Sequence, residues 1–128
     1  LLLVPKQMAP RLAGTATWAE AAQLPLSLLE PGMQNRRILD KVFSEQGLIQ
    51  NVRSESSDFT AAMVLASEGV SATIFPEILI ESMGILEGTV ALPLVEPKLD
   101  KEVCLVTPMR DPELPTVEAL RRVCAQTR

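Results

Sequence analysis

Short apolar runs and helix-period segments take turns along this chain, and a proline or glycine separates most of them. That alternation is the strongest constraint on its fold. A strand followed by a helix must return its next strand to the same sheet edge by edge, which argues an α/β layer architecture with mainly parallel pairing. Residues 1–4 are apolar and end at Pro5, as a buried strand does. Residues 6–14 carry Pro10 and Gly14 and read as a loop. Thr17-Trp18-Ala19-Glu20 has capping-box spacing, predicting a short helix from Thr17 to about Gln23, stopped by Pro25. Residues 26–29 form the next strand, closed by Pro31-Gly32.

The clearest helix spans residues 33–46. Ile38, Leu39, Val42 and Phe43 make one apolar stripe, Arg36/Asp40 and Lys41/Glu45 pair at i,i+4, and Gly47 is placed to end it. A strand over 48–54, a helix over 58–68 ended by Gly69, a strand over 70–75 ended by Pro76, and a helix over 77–83 follow. Residues 90–95 read as an edge or bent strand because Pro93 lies inside it. Residues 97–101 suit a linker, 102–107 an apolar strand, and Leu114-Pro115-Thr116 opens a last helix whose buried face would be Val117, Leu120, Val123 and Cys124.

Composition narrows the function. The net charge of −4 and pI near 4.9 disfavour nucleic acid as a partner of this segment, since phosphate binding calls for clustered Lys and Arg. The chain has no His and no Tyr, which removes the commonest general base and the commonest metal ligand. No Ser–His–Asp, Cys–His or paired-carboxylate arrangement is visible, so the expectation is no enzyme, no catalytic residue, no metal and no cofactor. Cys104 and Cys124 stand alone, twenty positions apart, and read as reduced core residues of a cytoplasmic protein. No apolar run approaches the roughly 18 residues of a membrane span. The opening run lacks the flanks of a signal peptide and reads as a strand entered in the middle, as if the natural start lay upstream.

Four segments, in order and covering nearly the whole chain, carry a family resemblance. They are Leu1-Leu2-Leu3-Val4-Pro5; Leu26-Ser27-Leu28-Leu29-Glu30-Pro31-Gly32 with the helix from Gln34-Asn35-Arg36-Arg37; Ala66-Ser67-Glu68-Gly69-Val70-Ser71-Ala72-Thr73-Ile74-Phe75-Pro76; and residues 90–94 with Cys104-Leu105-Val106. Together they resemble the effector-binding region of LysR-type transcriptional regulators. The Gln-Asn-Arg-Arg run is similar to the branch related to nitrogen-assimilation and cyanate regulators.

The resemblance implies a fold like the type II periplasmic binding proteins, two α/β lobes joined by hinge strands with the effector between them. One lobe would be complete and the other partial. Residues 1–24 would be part of the first lobe and hinge, 25–96 the second lobe, and 97–128 the hinge return, a first-lobe strand and the C-terminal helix. On that reading residues 1–4 and 102–107 pair in one sheet. A small-molecule effector would be the partner, DNA would be met only through an N-terminal domain outside this sequence, no membrane would be involved, and the full-length protein would be a homodimer or homotetramer. A solute-binding protein of the same fold is the alternative, and an enzyme built on it a remoter one.

Candidate effector contacts cluster in three places. Pro31, Gly32, Met33 and Gln34 lead into a helix, where free N–H groups and the helix dipole suit an anion or carboxylate. Ser56 and Ser57 end a strand before a helix; they could offer hydroxyls to a ligand or cap that helix. Ser71 and Thr73 share one strand face that Phe75 could cover, the other reading being core packing. Arg36 and Arg37 begin an amphipathic helix that is solvated on the plain reading and a dimer contact on the family one.

Overall fold

The computed structural model describes residues 1–9, 12, 14–100, 104–107 and 114–126. Its elements run β1 (Leu2–Pro5), β2 (Ala16–Thr17), α1 (Trp18–Gln23), β3 (Leu26–Leu29), α2 (Gln34–Glu45), β4 (Val52–Ser56), α3 (Phe59–Ser67), β5 (Thr73–Ile74), α4 (Glu77–Met83), β6 (Thr89–Leu92), β7 (Leu94–Val95) and α5 (Pro115–Gln126). The proline and glycine punctuation holds. Pro76 caps α4, Pro93 separates β6 from β7, and Gly47 and Gly69 follow α2 and α3 with φ of 65° and 77°, which β-carbons resist. The capping box forms in full: the Thr17 hydroxyl accepts from the Glu20 N–H, and the Glu20 carboxylate accepts from the Thr17 N–H.

β1 is the middle strand of an antiparallel sheet ordered β5-β1-β6, with Leu3 opposite Thr73 on one side and Ala91 on the other. β3 and β4 pair in parallel, as do β2 and β7. A parallel bridge between Leu26 and Ala72 ties the β3–β4 pair to β5. The sheet is therefore mixed, where mainly parallel pairing was expected. β1 is inserted antiparallel between strands far away in sequence, which local periodicity does not report.

Successive strand residues face opposite ways, and β1 uses both faces. Leu2 and Val4 join a core with Trp18, Ala21 and Ala22 of α1, Leu26 and Leu28 of β3, and Leu39, Val42 and Phe43 of α2. Leu3 joins a second core with Ala62, Met63 and Ala66 of α3, Phe75, and Ile80 of α4. Helices thus cover both sides of β1, whose Leu2, Leu3 and Val4 are wholly buried. Each such leucine contributes about 1.5–3 kcal/mol by leaving water.

Three expectations change. Residues 1–4 do not pair with 102–107: β5 and β6 take both edges of β1, and 104–107 form no strand, while 102 and 103 lie outside the described residues. Leu2, Val4 and residues of 16–22 share a core with residues of 26–43 and 72–94. The second strand of the parallel pair begins at Val52 rather than 48, because pairing with β3 sets its start. Finally, α5 has the expected amphipathic pattern but none of its residues is buried, and Cys104 and Cys124 are exposed thiols, not core residues. Core packing needs a facing layer, and residues 105–107, which lie beside α5, bury none of its side chains.

Candidate functional site

Parallel pairing puts the carboxyl ends of β3 and β4 side by side, and a helix starts just beyond each. Leu29 is in register with Ser56, and the Glu30 N–H donates to the Ser56 carbonyl at 3.1 Å. The turn carrying Pro31, Gly32, Met33 and Gln34 and the turn carrying Ser56 and Ser57 therefore share one sheet end, the usual crevice position in α/β folds. The structure places the first group of candidates beside the second.

The two helix starts are chemically different. Asp58, not Ser56 or Ser57, caps α3: its carboxylate accepts from the Thr60 N–H at 2.8 Å. The Ser56 hydroxyl instead accepts from the Asp58 N–H at 3.0 Å, and Ser57 is exposed. This corrects the capping expectation. A carboxylate neutralises the helix dipole better than a hydroxyl, and the serines lie one and two positions too early. The start of α3 is thus satisfied and negatively charged. The start of α2 is neither. Its cap residue, Met33, has no side-chain acceptor, the first turn holds no acidic residue, and the first intrahelical donor is the Arg37 N–H, bonded to the Met33 carbonyl at 3.1 Å. The N–H groups of Gln34, Asn35 and Arg36 lack intrahelical acceptors. Pro31, Gly32 and Gln34 are exposed and Met33 half-buried, so this end is open to a ligand.

Arg36 locks that turn in place. Its Nη1–H donates to the Leu29 carbonyl at 2.8 Å and to Glu55 at 2.6 Å, and its Nε–H to Asp40 at 2.8 Å. Burial works against the guanidinium charge, but the hydrogen bonds and charges of Glu55 and Asp40 outweigh it and raise its pKa above the ordinary value. The Arg36–Asp40 pair was legible from spacing. Glu55 was not, because it arrives from another strand.

The third group does not belong to this site. Ser71 and Thr73 are wholly buried, and Phe75 packs edge-on against Phe59 with centroids 5.0 Å apart. Ala72 sits beside Leu26, at the start of β3, about 10 Å by strand rise from its end. Ser71 belongs instead to a hydroxyl chain the sequence did not reveal: the Ser27 hydroxyl lies 2.5 Å from those of both Ser54 and Ser71. Core packing, one of the two readings open for Ser71 and Thr73, is what the structure has. Ser27 and Ser54 gave no signal beyond being polar residues in strand segments.

Leu105, Val106, Thr107, Arg121, Cys124 and Ala125 line a separate groove beside α5, which includes none of the candidate residues. Among the described residues no group of three His, Cys, Asp or Glu side chains gathers as metal ligands, and no helix is long and apolar enough to cross a membrane.

Comparison with known proteins adds a family. A probable nitrogen assimilation transcriptional activator of Synechococcus elongatus is 25% identical over 109 residues, 85% of this chain and 35% of that protein. The chain thus spans about a third of the length of the curated relative it matches. Among solved structures, the effector-binding domain of QuiR in complex with shikimate superposes with a TM-score of 0.67 at 18% identity, covering 78% of this chain and 46% of that one. The LysR family regulator CbnR gives 0.65 at 18% identity, with 76% and 34% covered. The regulatory domain of Synechocystis CcmR in complex with 2-PG gives 0.65 at 14% identity, with 75% and 46% covered. At these identities the superpositions establish a shared α/β fold. The LysR substrate binding domain model matches residues 1–128, and the chain belongs to that family.

Proposed function

We propose that this chain is the ligand-sensing part of a LysR-type transcriptional regulator and that it takes a small anionic metabolite at the start of α2. The observation that carries the reading is the contrast between the two helix starts at one sheet end: α3 is closed by Asp58, while α2 offers unpaired N–H groups beside Gly32, Met33 and Gln34. Solved relatives of the same fold hold shikimate and 2-PG, both compatible with such a site. Binding without turnover fits a chain that has no histidine.

The rest of the regulator's activity is placed outside these residues. Full-length CbnR is known in complex with its target DNA. We assign DNA contact here to a segment beyond this chain, in keeping with its net charge of −4, and place the intact regulator in the cytoplasm as a homodimer or homotetramer. The core from β1 to β7 is proposed to be one complete lobe, and residues 97–128 the return to a second lobe.

Met33→Asp tests the site. The new carboxylate would cap α2 and occupy the N–H groups that an anion needs. Calorimetry with a panel of small carboxylates and phosphates, shikimate and 2-PG among them, should show at least one ligand for the unaltered chain. Its affinity should fall about tenfold to a hundredfold in the variant, as loss of charge-assisted hydrogen bonds worth roughly 1.5–3 kcal/mol predicts. The same variant should be more stable by about 1 kcal/mol, as a restored N-cap predicts. Undiminished affinity alongside the gain in stability would defeat the assignment.

A further inference from the structure

Trp18 is the chain's sole tryptophan, and it touches both α2 and the segment that follows β7. It opens α1 and is only 2% exposed. Its ring meets Phe43 edge-on, with centroids 5.3 Å apart and an interplanar angle of 85°. Its Nε1–H donates to the Pro97 carbonyl at 2.9 Å, across 79 residues. Phe43 lies on α2 nine residues beyond Gln34, about 14 Å along the helix axis. Pro97 lies just past β7, where the backbone leaves the sheet.

One side chain therefore links the helix that carries the open amides to the segment leaving the lobe. Packed helices shift as units rather than bending locally, since their close-packed faces resist compression. The start of α2 is held by Arg36 to the ends of β3 and β4, and its far half by Leu39, Val42 and Phe43 in the core. A ligand drawing on the first turn pulls on a rod whose other end bears on Trp18. The indole hydrogen bond is the polar contact at the far end of this path, and a sub-ångström shift can lengthen or shorten it.

We propose that Trp18 is a positioning residue that transmits occupancy of the α2 start to the segment after β7. The proposal rests on the reading of that start as an anion site, and the experiment separates the two. The intact chain is titrated with inorganic phosphate and followed by ¹⁵N-detected NMR. The backbone amides of residues 34–36 report binding, and the single indole Nε1–H resonance reports the Trp18–Pro97 bond. Both sets should shift with the same midpoint.

In Phe43→Leu the amides of 34–36 should keep their midpoint while the indole stops responding. In Trp18→Phe, which keeps a ring against Phe43 but has no donor, the amides of 98–100 should stop responding while those of 34–36 still do. Should Phe43→Leu fail to fold, the Trp18→Phe arm decides alone. Amides of 34–36 that move while the wild-type indole stays still overturn the coupling and leave the site standing. If neither moves, the anion site is wrong and the coupling loses its trigger. An indole that responds without 34–36 overturns transmission through α2.

Discussion

Single hydroxyls and carboxylates decide more of this structure than its aliphatic content suggests. Ser27, Ser54 and Ser71 form a chain across three strand segments, and only Ser54 reaches toward solvent. Ser27→Ala strands the Ser71 hydroxyl in the core, so it should lower stability by about 1–3 kcal/mol in urea unfolding. Ser54→Ala should cost less, because Ser27 keeps Ser71. In a double-mutant cycle Ser27→Ala and Ser71→Ala should be clearly sub-additive, since the second change removes the group the first left unpaired; simple additivity would refute the chain as a unit. Glu20 gives a pH dependence. The backbone N–H of Thr17, then its hydroxyl, hold the Glu20 carboxyl below the usual range. Its stabilisation is therefore present above the ordinary carboxyl pKa and lost as pH falls through the lower folded value. Thermal melts of Glu20→Gln should lie below wild type at neutral pH, with the gap closing as pH falls below the ordinary carboxyl range.

At the scale of elements, α2 is the piece that organises the site, and Arg36 is how it does so. A lysine at that position carries the charge but cannot fork to Asp40, Glu55 and the Leu29 carbonyl at once. Asp40 and Glu55 are each about two-fifths exposed, so solvent can serve them when the arginine is removed. Arg36→Lys should therefore lower stability by only about 1–2 kcal/mol, and should also broaden the amide resonances of residues 34–36 as the turn loosens. Full rescue by lysine would show that charge alone suffices. The span of α2, its stripe and its i,i+4 pairs could be read from the sequence because all of them are local. The start of β4 could not. Alternation has a period of two and no origin, so residues 48–54 and Val52–Ser56 fit it equally until β3 supplies a partner.

Across the whole molecule, stability is concentrated around β1. Leu3 lies at the centre of the three-stranded sheet and reaches the α3–α4 core, whereas Leu120 on α5 is half exposed. Leu3→Ala should cost about 2–5 kcal/mol, while Leu120→Ser should stay within about 0.5 kcal/mol in the main unfolding transition. Hydrogen exchange should show the same ranking, with α5 amides exchanging well before those of β1. Equal protection of α5 and β1 would overturn this ranking.

What the sequence determined by itself was local. Its apolar runs, capping box, proline and glycine stops and i,i+4 pairs act over a few residues, and they place nearly every helix and the α/β class. Family motifs, read in order, carried the rest of the identification, and the Pro31–Gln34 turn was visible as a helix start. The tertiary structure decided the insertion of β1 between β5 and β6, the burial of Ser71, Thr73 and Phe75, the capping of α3 by Asp58, and the bridge from Trp18 to Pro97. Each depends on groups that are distant in sequence, or on competition between near neighbours for one amide. A strand's pattern states which faces are apolar but not which strands lie beside it, because hydrogen bonds along a strand edge are the same whatever sequence supplies them.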